Sequence, residues 1–222
     1  MKLSDSTVNY LKNFSTINSG IVFQEGSVIR TISKGKNILA KATITETITD
    51  KFAIYDLNRF LSLIGSLPDP SIEVYPEKKN IKIKSSGTNT LYGLSDESLV
   101  VSPPAKEMKI VGEVQFKITK DAMAQVLKLA GILSLPNIAV RGDRSKISIA
   151  AVDVNNPDSD VFWIEVGETT AEFDMIFVTE NFKMISGEYN VSISSKGISH
   201  FANTKEPLEY WIAIEAGSKY AE

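Results

Sequence analysis

The chain has 222 residues, 43% of them hydrophobic, enough for one large or two ordinary packed domains. It contains no cysteine, which excludes a disulfide framework and any thiolate metal site and is compatible with a reducing cytosol. The formal net charge of −3 excludes a general cationic coat for nucleic acid but leaves room for a local basic surface.

The opening MKLSDSTVNYLKNF lacks the continuous apolar core of a secretory signal. No apolar run approaches the roughly 20 residues of a membrane span. Ser4 to Ile17 reads as a first helix, with Ser4 as cap, Asp5 in the first turn and Val8, Leu11 and Phe14 as buried stripe. Strand-like runs follow at Ile21–Gln24, Val28–Ser33 and Ile38–Ile44, separated by Glu25-Gly26 and Lys34-Gly35-Lys36-Asn37 turns. Tyr55 to Leu67 reads as a second helix, capped by Asp56, with Leu57, Phe60, Leu61 and Ile64 inward. Strands return at Ser71–Tyr75, Asn80–Lys84 and Thr90–Leu94. The proline-bearing run VSPPAKEMKIVG, residues 101–113 with its neighbour, reads as a connector between domains 1–100 and 114–222.

Beyond the connector, a strand at Val114–Thr119 leads into TKDAMAQVLKLAGIL, the clearest helix of the chain. Met123, Val126, Leu127, Ala130 and Leu133 form its apolar stripe, and Thr119 is its cap. Strands are expected at Ile138–Arg141, Lys146–Val154, Val161–Val166 and Glu172–Val178. A fourth helix is expected from Thr179 to Ile185, then strands at Tyr189–Ser194, His200–Asn203 and Tyr210–Glu215. Both halves thus run helix, strands, helix, strands, with matching helices offset by about 115 to 122 residues. This order predicts an α+β fold of two similar domains, each with two helices on antiparallel sheets.

The four expected helices each start with an acid (Asp5, Asp56, Asp121, Glu180) and carry a base later (Lys12, Arg59, Lys128, Lys183). None has an acid after its first turn. The part from Lys106 onward nevertheless holds 17 acids against 12 bases, so its acids fall on strands and loops. Complementing the helix dipoles would by itself produce this pattern. The functional alternative is a weakly basic surface of Lys, Arg, Asn, Gln, Ser and Thr, suited to loose phosphate contact without base readout. No aromatic residue stands out on these outer faces, which disfavours single-strand stacking.

The runs LKNFSTINSG (Leu11–Gly20), AIYDLNRFLSLI (Ala53–Ile64) and WIAIEAGS (Trp211–Ser218) resemble the sliding clamps of T-even-type bacteriophages, over nearly the whole chain. The resemblance implies a DNA-clamp fold and a homotrimer whose six domains close into a ring around duplex DNA. It implies helices lining the hole and continuous sheets outside. It also implies a tether for the replicative DNA polymerase, loading by an ATP-driven clamp loader, and use as a mobile activator of late viral transcription. Such clamps work in the cytoplasm of the infected bacterium, catalyse nothing and need no cofactor. On this reading Lys12, Arg59, Lys128 and Lys183, with Lys120, face the phosphates. Subunit contacts fall on the edge strands Thr88–Leu94 and Asp160–Val166, with Leu91, Tyr92, Phe162 and Ile164 as interface residues. Partner tails would dock near Val101, Pro103, Met108 and Ile110 of the connector and Ala216 and Gly217 near the end.

Two other classes compete. The acidic run Asp153–Asp160 alternates oxygen ligands as calcium loops do, but Pro157 interrupts it and the glycine and distal glutamate are missing. A metal-dependent nucleic-acid enzyme would use that run. The single histidine, His200, and the absence of phosphate-loop glycine motifs leave no other catalytic constellation. The third class is a two-domain interaction protein that never meets DNA.

Overall fold

The computed structural model describes residues 1–104 and 110–221. The chain divides into two compact units, Met1–Lys106 and Glu107–Glu222. Among the described residues no helix is long and apolar enough to cross a membrane.

The first unit starts with α1 (Asp5–Ile17). The Ser4 hydroxyl accepts the Thr7 N–H and caps it, and Tyr10, Leu11, Phe14 and Ile17 bury its inner face. Then come β1 (Ile21–Phe23), β2 (Gly26–Ile32), β3 (Ile38–Ile48) and β4 (Phe52–Ile54). Helix α2 (Leu57–Gly65) begins at the Asp56 cap, whose Oδ1 accepts the Arg59 N–H at 2.9 Å. Strands β5 (Ser71–Tyr75), β6 (Asn80–Ser85) and β7 (Thr88–Gly93) complete the unit as an antiparallel sheet in that order. Helix α1 packs on α2 and on the β2–β3 hairpin, while β1 pairs with β4. The β6–β7 hairpin turns through Ser86 and Gly87, both at positive φ, as a two-residue turn matched to strand twist requires.

The second unit holds β8 (Val114–Ile118), α3 (Lys120–Ile132), β9 (Asn137–Asp143), β10 (Lys146–Val152), β11 (Phe162–Glu168) and β12 (Glu172–Val178). It ends with β13 (Tyr189–Ser194), β14 (Ile198–Asn203), β15 (Leu208–Ala213) and β16 (Lys219–Ala221). One antiparallel sheet runs β11-β10-β9-β12-β16, and β8, β13, β14 and β15 pair successively. Helix α3, capped by Thr119, packs on β10 and β11. Gly142 has no side chain because the Phe173 ring occupies that space: a Cβ there would lie 2.4 Å from it.

The expected fourth helix is the one element the structure overturns. Thr179–Asn181 forms a single 3₁₀ turn, and the chain leaves helical geometry at Phe182. Thr179 does not cap a helix, because its hydroxyl donates to the Leu135 carbonyl at 3.0 Å. The Ile185 N–H donates to the Tyr210 hydroxyl and the Ile185 carbonyl accepts from Tyr189, so side chains replace helical bonds. Burial pushes the Tyr189 hydroxyl up to about 12, keeping that donor protonated. Phe182 is buried among Phe177 and Phe201, with ring centroids 5.4 and 5.9 Å away. A seven-residue segment cannot offset the cost of helix nucleation against these alternatives. Among the described residues the second unit therefore carries one α-helix, not two. Strands β4 and β16 are additions that the sequence pattern did not indicate.

Truncating the aromatic cluster by Phe201→Ala should cost about 3–5 kcal/mol, the range for a large core aromatic, read from urea unfolding of the second unit. A polar counterpart ties α1 to β3. Burial pushes the Glu46 carboxyl up, but bonds from the Thr7 hydroxyl (2.6 Å) and the Ser4 N–H outweigh it and hold the group below its usual range. A carboxylate so held stabilises the fold above its unfolded pKa and loses that contribution as pH falls through its lowered folded value. Glu46→Gln should therefore cost about 1–2 kcal/mol at pH 7, and parent and variant unfolding curves should converge in acid below the folded value.

Candidate nucleic-acid interface

The inner faces of the three helices are consumed by packing, so only their outer faces can meet a ligand. On α1 the exposed residues are Asp5 and Ser6 in the first turn and then Asn9, Lys12 and Thr16, with the Ser15 hydroxyl donating to the Lys12 carbonyl at 2.7 Å. On α2 they are Asn58, Arg59 and Ser62, and the Arg59 guanidinium lies 6.0 Å from the Tyr92 ring centre. On α3 they are Lys120, Asp121, Ala124, Gln125 and Lys128, with Gly131 and the exposed Ile132 at its end. Tyr55, just ahead of the α2 cap, is 60% exposed, so one aromatic does stand beside these faces.

The state of the bases separates helices from strands. Among the described residues Lys12, Arg59, Lys120 and Lys128 enter no ion pair. By contrast Lys84 pairs with Glu73 (2.6 Å), Lys117 with Glu188 (2.8 Å), Arg141 with Asp174 (3.1 Å), Lys146 with Glu168 (3.2 Å) and Arg144 with Glu172 (3.3 Å), all on or beside strands. The Lys84 ammonium, followed by the Tyr75 hydroxyl, holds the Glu73 carboxyl below its usual range. The Lys117 ammonium does the same at Glu188. Among the described residues the helix bases are thus left without a carboxylate, whereas most of the bases named on the sheets have one; Lys82 on β6 and Lys219 on β16 are exceptions. Lys183 is exposed but lies beyond the 3₁₀ turn on an irregular segment, so the helical argument for it falls away.

The remaining sequence expectations fall as follows. Leu91 is 69% exposed on β7, while Tyr92 is half-buried against Phe60 and donates its hydroxyl to the Asp56 carbonyl. Phe162 and Ile164 are half-buried on β11. Trp163 between them is 62% exposed and was missed, since alternation alone did not tell which face of β11 is covered. Val101 is exposed, its carbonyl held by the buried Asn18 amide at 2.8 Å. Pro103 lines a groove of about 430 Å³ with Val22, Gln24, Val28 and Lys51. Ile110 is half-buried, and Met108 lies outside the described residues. Ala216 and Gly217 are exposed in a turn that the Ser218 hydroxyl and Glu215 N–H fasten to Ile176.

The enzyme readings find little to work with. In the Asp153–Asp160 loop, Asp153 accepts the Asn155 N–H and Asn156 accepts the Asp158 N–H, so these acceptors serve their own turn. No group of three or more potential ligands converges on a metal position among the described residues. His200 stacks on Trp211 (4.7 Å between ring centres) and shares a hydrogen bond with Glu209 at 2.8 Å, a structural setting.

Short antiparallel sheets backed by helices are the fold of solved DNA clamps. The chain superposes on the sliding clamp subunit beta from Bartonella birtlesii with a TM-score of 0.72 at 13% identity, covering 97% of this chain and 64% of that one. It superposes on the A. fulgidus PCNA structure with the C-terminal region of FEN-1 at 0.69 and 14% identity, covering 98% of each. Residues 3–102 match the family model for a DNA polymerase processivity factor, and residues 115–216 match that for the C-terminal part of the gp45 sliding clamp. The sliding clamp of Vibrio phage KVP40 is 33% identical over 97% of this chain and all of that protein. That of Enterobacteria phage T4 is 31% identical over 99% of both. The chain belongs to the phage sliding-clamp family of DNA polymerase processivity factors.

Since Lys12, Arg59 and Lys128 enter no ion pair among the described residues and only Arg59 lies near a ring, that of Tyr92, the combined reversal Lys12→Glu, Arg59→Glu and Lys128→Glu should leave the circular dichroism spectrum unchanged. It should lower stability by no more than about 1.5 kcal/mol, the sum of three ordinary surface changes, as a thermal melt would show.

Proposed function

We propose that the chain assembles as a homotrimer whose ring encircles duplex DNA and tethers the replicative polymerase, with residues 1–100 and 114–222 as its clamp domains. The observation that supports this most is that the bases exposed on the helices enter no ion pair among the described residues, while Lys84, Arg141 and Lys146 on the strands are each neutralised by a carboxylate. A ring holds DNA by topology, so each phosphate contact is free to be weak and non-specific, which sliding requires. Tethering raises the polymerase's effective concentration at the primer end, and processivity follows without any chemistry by the clamp itself. In this reading Lys12, Arg59, Lys120 and Lys128 face phosphates. Leu91, Tyr92, Phe162 and Ile164 lie at subunit contacts. An ATP-driven loader opens the ring in the infected cell, and late transcription factors use the same tether.

Light scattering should give a mass of about 73 kDa, three chains of 24.4 kDa. Primer extension on a closed circular template, with cognate polymerase and loader, should lengthen products in the presence of the clamp. The triple reversal should shorten them about tenfold or more through lost loading or sliding. Undiminished product length with a folded triple variant would remove the helix faces from the DNA contact.

A further inference from the structure

The four bases exposed on the helices are not held alike. Among the described residues Lys12, Lys120 and Lys128 meet neither a carboxylate nor a ring, so no contact directs their ammonium groups. Arg59 differs. Its guanidinium carbon lies 6.0 Å from the centre of the Tyr92 ring, within reach of a cation–π contact.

Tyr92 is itself fixed from three sides. On β7 it stands opposite the buried Ile81 of β6. Its ring meets the buried Phe60 ring in an edge contact, with centroids 5.5 Å apart and planes at 69°. Its hydroxyl donates to the Asp56 carbonyl at 3.1 Å. Burial, followed by the negative charge of Asp56, pushes that hydroxyl up, so it stays a donor at neutral pH. Asp56, Arg59 and Phe60 stand at i, i+3 and i+4, which places them on one stripe of α2. One side chain from the neighbouring sheet thus spans the first turn of the helix. The Asp56 carboxylate meanwhile accepts the Arg59 N–H at 2.9 Å. Arg59 is therefore anchored at both ends, its backbone by the cap and its guanidinium by the ring.

We infer that Tyr92 is a positioning residue for the phosphate contact of Arg59. A long base loses rotamer freedom when a phosphate fixes it. Arg59 comes to that contact with part of the freedom already removed, which is preorganisation. A planar guanidinium lies well against an aromatic face while its donors stay on the rim, where they meet phosphate oxygens. A lysine ammonium is a compact point charge and does not combine the two. Arg59 is thus the directed contact of the helix surface, and Lys12, Lys120 and Lys128 supply undirected charge. This role rests on the reading that the helix bases face phosphates, and it adds the residue that aims one of them.

A double-mutant cycle separates this role from a merely structural one. The readout is the affinity of the assembled protein for a short fluorescent duplex, by anisotropy over a salt series. Arg59→Gln should weaken binding and lower the slope of log affinity against log salt by about 0.9, one phosphate. Arg59→Lys should restore the slope but not the full affinity. Tyr92→Leu should weaken binding about two- to fivefold, the loss expected of an exposed cation–π contact. Tyr92→Phe keeps the ring and should stay within about twofold of the parent. In the Arg59→Gln background, Tyr92→Leu should have no further effect. Tyr92 also lies at a proposed subunit contact, so light scattering gives the mass of each variant at the assay concentration. A loss that persists in the Arg59→Gln background would show Tyr92 acting through assembly and would overturn the inference. So would parental binding by Tyr92→Leu beside weak binding by Arg59→Gln. Parental affinity and salt slope in Arg59→Gln would instead remove Arg59 from the DNA contact, and with it the reading beneath the inference.

Discussion

A helix packed on a sheet has one face left for anything else, and this constraint organises both units. Leu11, Phe14, Phe60, Ile64, Val126 and Ala130 are all consumed against the sheets or the neighbouring helix. What remains on α1, α2 and α3 is a short outward strip. Its composition is free of packing requirements, so its chemistry reports on function more directly than any core position. The strip carries amides, hydroxyls and four bases, and its only acids are at the helix starts, where the peptide dipoles favour them.

That arrangement reconciles a negatively charged chain with a DNA-related family. A net charge of −3 repels a duplex at long range. Within about one Debye length, roughly 8–10 Å, the local pattern decides instead. There Glu73, Asp174, Glu172 and Glu168 on the strands are bound to Lys84, Arg141, Arg144 and Lys146, while the helix bases enter no ion pair among the described residues. Exposed pairs of this kind contribute little to stability. Their consequence here is electrostatic: they cancel charge on the sheets and leave it on the helices.

Much of the fold was legible because helix signals are local. Ser4, Asp56 and Thr119 are caps, and each is followed by a 3.6-residue apolar rhythm. Thr179 looked equivalent in sequence, yet its hydroxyl is engaged by Leu135, 44 residues away, and Ile185 by Tyr210, 25 residues away, and by Tyr189, 4 residues on. Non-local competition of that kind has no signature in a window of nine residues. Strands β4 and β16 escaped for a related reason, since three residues are too few to show alternation. At the candidate interface, Lys12, Arg59 and Lys128 were readable from spacing. Trp163 was not, because alternation shows that two faces differ without showing which one the core covers.

The edges complete the physical picture. A sheet edge without proline, inward charge or covering loop is a liability in a monomer, because it templates association with any passing strand. Here two such edges occur on one chain, and they differ in character: β7 is uncharged with Lys82 behind it, whereas β11 carries Glu165 and Glu168. Like edges therefore repel or mismatch, and unlike edges complement. A contact between unlike surfaces is heterologous, and copies joined that way either close into a ring or grow without limit.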